Sequence, residues 1–87
     1  MPGVRHKVHR GGARCLRLVE YSRQMAPHWC SRAHVGHIVD GQMEIEFHGG
    51  TESFAAGDAV FIPEGPDHAH RAVVLTSTVT ALFVEDA

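Results

Sequence analysis

Nowhere in this chain do ten consecutive residues carry the apolar period of a helix; short alternating runs are broken instead by Gly, Pro and Asp. That punctuation confines the chain to an all-β sandwich or barrel. The clearest run is HVGHIVDGQMEIEFHGG, where Met43, Ile45 and Phe47 alternate with Glu44, Glu46 and His48. One face of that strand is expected to be buried and the other wet. Asp40-Gly41 is a dipeptide that tight turns favour because it tolerates positive φ, so a hairpin is predicted there. RCLRLVEYSR, from Arg14 to Arg23, reads as a strand, and a second extended piece is expected over Met25 to Ser31. Turns at Gly49-Gly50 and Ala56-Gly57-Asp58 bracket a short strand over Glu52 to Ala55. AVFIP is then a compact strand ended by Pro63, which cannot donate to a ladder. HAHRAVV and STVTALFVE supply the last two strands. The latter is apolar on both faces, as a sandwich layer or a subunit interface requires.

Eighty-seven residues make one domain, near the low end of what a single core stabilises without a metal or a partner subunit. Residues 1–12 carry Gly, Pro and basic side chains without an apolar period, so a flexible arm or edge segment is expected there, followed by a single barrel domain over 13–87. Five of the eight Lys and Arg residues fall within the first seventeen positions, as Arg5, Lys7, Arg10, Arg14 and Arg17. No aromatic residues interleave them, so they read as a solvated arm rather than a nucleic-acid surface. The net charge of −2 argues the same way. No apolar run is long enough for a membrane helix, and MPGVRHKVHRGG lacks the apolar centre of a secretory signal; a cytoplasmic chain is expected. In that reducing compartment Cys15 and Cys30 are read as free thiols or ligands rather than a disulfide.

The chemistry concentrates in PHWCSRAH. His28, Cys30 and His34 stand at i, i+2 and i+6, and in an extended strand even offsets share one face. His68, which follows GDAVFIPEGPDH, is expected to return to the same wall from far along the chain. Imidazole and thiolate together suit borderline divalent ions, so His28, Cys30, His34 and His68 are the expected metal ligands, for zinc, iron, nickel or copper. His70, two residues past His68, is read as a packed or supporting imidazole or, more sharply, as a proton carrier beside a metal-bound substrate. Trp29, of opposite parity to its neighbours, should pack on the far side of the wall. His37 should point outward with Val35 and Val39, toward a subunit contact. Met43, Ile45, Phe47, Phe61 and Phe83 are expected to be core or pocket lining.

These residues resemble a known family, the cupins. The second cupin motif is G-x5-P-x-G-x2-H-x3-N, and Gly57, Pro63, Gly65 and His68 occupy its positions, with Ala72 in place of the closing Asn. The first is G-x5-H-x-H-x3-4-E-x6-G, in which His28 matches the first His and Gly41 the closing Gly. Cys30 stands at the second His, His34 at the Glu and Ser22 at the opening Gly. The resemblance implies a jelly-roll or double-stranded β-helix barrel with a metal in its mouth, similar to the all-histidine form of the site with one imidazole exchanged for a thiol.

The expected protein is thus a small metal-binding cupin and a homodimer. One function is a metal-dependent oxygenase, isomerase or lyase acting on a small molecule in the cavity, with His70 moving a proton. The other is a non-catalytic module that binds a small ligand or senses metal through a closed coordination shell. Ligand number separates the two, because catalytic sites keep an open position.

Overall fold

The computed structural model describes residues 1–86. Eight strands run β1 Val4–Gly11, β2 Arg14–Ser22, β3 His34–Asp40, β4 Gln42–Phe47, β5 Gly50–Ala55, β6 Ala59–Ile62, β7 His70–Val74 and β8 Thr78–Asp86, with a single turn of 3-10 helix at Pro66–His68. They form two antiparallel sheets, a five-stranded one in the order β1-β2-β8-β3-β6 and a three-stranded one in the order β5-β4-β7. The all-β barrel expected from the punctuation is therefore the observed architecture.

Strand parity decides which side chains fill it. In β2, Cys15 and Val19 are buried while Leu16 and Leu18 between them are exposed. In β8, Val79, Ala81 and Phe83 point inward, and in β4 Met43 and Ile45 do the same. All of these except Cys15 meet Ile38, Val60 and Ile62 in one cluster between the sheets, with Phe47, Phe54 and Val74 packed at its margin. Val19, Ile38, Val79 and Ala81 have no accessible surface at all, so this end of the barrel is the stabilising core.

Three expectations are corrected. Phe61, expected in the core or pocket lining, has outward parity in β6 and is 74% exposed. Of the two forms expected for residues 1–12, a flexible arm or an edge segment, the second is the one observed: β1 pairs with β2 from Val4↔Tyr21 to Gly11↔Arg14. An edge strand needs backbone partners on one side only, so it carries no apolar period. Its charged side chains discourage pairing with another chain. Met25 to Ser31 is not a strand; within it only Cys30 joins a ladder, as an isolated bridge to His70. Asp40-Gly41 closes no hairpin, because β3 pairs with β6 and β8 while β4 pairs with β5 and β7. The dipeptide is a corner between the two sheets. Gly41 has φ +90°, and a Cβ there would run into the Thr78 carbonyl oxygen, so the corner requires glycine.

Candidate metal centre

Two elements bring the donors together. The irregular segment before β3 is fixed at Cys30 by two backbone hydrogen bonds with His70: the Cys30 N–H donates to the His70 carbonyl at 2.8 Å, and the His70 N–H donates back at 2.9 Å. On the outer side Trp29 stacks on His48, ring centroids 4.5 Å apart, and the Arg71 guanidinium lies 5.2 Å from the Trp29 ring. Trp29 therefore packs on the far side of the wall and ties the segment to the three-stranded sheet. His34 opens β3 and points inward from the opposite sheet.

Cys30, His34 and His70 form the one group of three or more candidate donors among the described residues, their ligand atoms all within 4.8 Å of one another. Donors of one tetrahedral ion stand about 3.5 Å apart, so small side-chain rotations bring this set to bonding distance. His70 is 4% exposed. Its Nδ1–H donates to the His68 carbonyl at 3.1 Å, which leaves Nε2 a bare lone pair, buried and without a partner. A buried orphan acceptor is costly unless something electropositive meets it. The Nδ1–carbonyl contact is also the support that metal-bound imidazoles ordinarily have. Cys30 Sγ accepts the Arg32 N–H at 3.5 Å.

His34 makes an edge contact with the His70 ring at 5.0 Å and lies against Phe83. Burial, helped by the neighbouring His70, lowers its pKa to about 4, so at neutral pH it is an uncharged imidazole ready to ligate. Its Nδ1 is buried 3.7 Å from Glu85 Oε2, and that carboxylate is held by Arg17 Nη2 at 2.8 Å. Burial raises the pKa of Tyr21, against the pull of Arg17, and keeps the phenol protonated.

The expected ligands divide. Cys30 and His34 lie in the group; His28 and His68 do not. His28 is exposed at the rim of the same cavity, its Nδ1–H on the Ala26 carbonyl at 3.2 Å. His68 is exposed in the 3-10 turn and contributes only its carbonyl, to His70. His70, expected as a proton carrier, occupies the place expected of His68. The 3-10 turn is the reason: β7 starts at His70, so the strand parity that points a side chain into the barrel begins there.

Arg17 and Glu85 were not singled out as site residues, and Arg17 had been assigned to a solvated arm. Both have strand parity shared with buried neighbours, Arg17 with Cys15 and Val19, Glu85 with Phe83 and Ala81. A charge at an inward position of an apolar strand was the legible signal.

The group opens into a cavity of about 310 Å³. Its floor is apolar, with Ile38, Met43, Ile45, Val60 and Ile62 among its residues, and its polar side carries Arg17, Tyr21, Cys30, His34, His70 and Glu85. An apolar chamber with a few convergent polar groups is the usual form of a small-molecule site.

No family model matches the sequence, and no curated protein does. Solved structures do. A KdgF protein from a Halomonas species superposes with TM-score 0.76 at 25% identity, covering 97% of this chain and 78% of the other. A cupin-2 domain protein from Shewanella frigidimarina gives TM-score 0.77 at 18% identity, covering 95% and 80%. A sugar phosphate isomerase of the cupin superfamily from Silicibacter pomeroyi gives TM-score 0.78 at 17% identity over 100% of this chain and 61% of that one. With two antiparallel sheets around a donor-lined cavity and these neighbours, the chain has the fold of the cupin superfamily.

Proposed function

We propose that this is a metal-dependent cupin acting on a small molecule in its cavity, with one divalent transition ion held by Cys30, His34 and His70. The observation that carries the reading is the unpartnered, buried Nε2 of His70 facing a thiol and a neutral imidazole. Thiolate with two imidazoles suits zinc, iron, nickel or copper better than harder ions. Three protein donors leave an open position, the arrangement of catalytic sites; a closed structural shell uses four. An ion so held by Cys30, His34 and His70 would supply Lewis-acid chemistry at the polar side of the cavity. The chain's own groups do the rest. The apolar floor receives the body of the ligand, and Glu85, pinned by Arg17, holds its charge 3.7 Å from His34 Nδ1. His28 at the rim faces the entering molecule. The sugar phosphate isomerase neighbour makes sugar phosphates the first compounds to screen. The proposed setting is cytoplasmic and the proposed assembly a homodimer; no helix among the described residues is long and apolar enough to cross a membrane.

Elemental analysis of untagged protein tests this reading. One transition ion per chain is expected, lost in Cys30→Ala and His70→Ala and retained in His68→Ala. Full metal content in His70→Ala, or its loss in His68→Ala alone, contradicts the ligand set.

A further inference from the structure

The outer face of the five-stranded sheet is apolar where that of a lone sandwich should be wet. The register aligns Leu16 of β2, Val84 of β8, Val35 of β3 and Phe61 of β6 in one row across four strands. Leu18 and Leu82 stand beside them in the next outward row. Phe61 is 74% exposed, and Leu16, Leu18, Val35 and Val84 are each at least 40% exposed. On the three-stranded sheet the outward positions of β4 and β7 include Glu44, Glu46 and Arg71. Only the larger sheet, then, presents an apolar stripe to solvent.

We infer that a second copy of this chain covers that stripe, related by a two-fold axis running along β8. This specifies the homodimer proposed above. Two features select the occupant and the axis. First, β8 is the middle strand of the five, so an axis along it lays the stripe on itself. Val84 meets its own copy, Leu82 meets its own copy, and Leu16 faces the second copy's Val35. Five strands at about 4.8 Å spacing make a face about 24 Å wide, broad enough to carry the ~800 Å² that each partner gives to a standard interface once the rows flanking the stripe are included. Second, charge is unevenly distributed across the sheet. The β1 edge carries Lys7 and His9 on its outward positions, beside an Arg5 already paired with Glu20 of β2 at 2.8 Å, whereas β6 carries no cation and is flanked by exposed Asp58 and Glu64. The axis along β8 sets the β1 edge of one copy over the β6 edge of the other, basic against acidic. An axis across the strands would set β1 over β1 and oppose like charges.

Sedimentation equilibrium and cysteine cross-linking test this together. The parent chain is expected to be a dimer. Val84→Glu, exposed on the axis, is expected to weaken it about a hundredfold with unchanged circular dichroism, because two carboxylates then meet. Val84→Cys is expected to form a subunit cross-link beyond the background of the parent's own thiols, and Lys7→Cys is not. If Val84→Glu does not fold, the cysteine pair decides. A monomeric parent overturns the homodimer and this interface together. A dimer that survives Val84→Glu, or that cross-links through Lys7→Cys and not Val84→Cys, overturns the interface alone.

Discussion

The two ends of the barrel interior are built to opposite rules. At the closed end Val19, Val79 and Ala81 are shut off from water and bring no side-chain polar atom with them. At the mouth Arg17 Nε, His34 Nδ1 and His70 Nε2 are all buried without a partner. The closed end lowers the free energy of the fold; the mouth raises it. A chain this short has little stability to spare, so the unsatisfied groups are explained by what they receive. The contrast makes the ends separable: a change at the mouth should alter binding more than folding, and a change at the closed end the reverse.

The largest effect expected is on binding. His70→Ala should lower metal affinity at least a thousandfold while leaving the melting temperature of the metal-free chain nearly unchanged, measured by titration with zinc and by calorimetry of chelated protein. Equal losses of metal and of metal-free stability would erase the distinction between the ends. Its counterpart is Val79→Ala at the closed end, expected to cost about 1–3 kcal/mol in denaturant unfolding with one ion still bound per folded chain.

Acid should act at the mouth. The unfolded chain takes up a proton on His34 at the ordinary value of 6.5, the folded chain only near 4. Stability from this group is therefore full above pH 6.5 and drains as pH falls toward 4, by ~3 kcal/mol at most. His34→Asn, which does not titrate there, should flatten that part of the stability–pH curve of the metal-free protein. An unchanged slope would mean that His34 is not buried neutral.

Smaller still is the effect expected of Glu85→Gln, about 10–100-fold in metal affinity, because its carboxylate stands 3.7 Å from His34 Nδ1 and its charge favours a cation held beside it. Lost affinity beyond that range would place Glu85 among the ligands.

How much of this the sequence disclosed depends on the kind of signal each part leaves. The alternation in QMEIEF and in RCLRLVEYS reports inward and outward faces directly, because burial selects side chains at every second position. Cys30 and His34 were legible as candidates from residue type and spacing, although the strand assumed to carry His28 and Cys30 is irregular. Choosing between His68 and His70 was beyond spacing. They share parity in a regular strand, and only the 3-10 turn over Pro66–His68 decides which one starts β7. For residues 1–12 the sequence left a flexible arm and an edge strand equally open, because backbone pairing leaves no mark on side-chain pattern. Asp40-Gly41 reads identically as a hairpin turn or a sheet corner, since both require positive φ; the choice is made by long-range pairing of β3 with β6 and β8.

X-ray absorption at the metal edge of the zinc-loaded, untagged protein tests the central claim most directly. The account expects one sulfur at about 2.3 Å and two imidazole nitrogens at about 2.0–2.1 Å, with the sulfur shell absent in Cys30→Ser. A first shell of nitrogen and oxygen alone, or a chain that takes up no stoichiometric zinc, would contradict it.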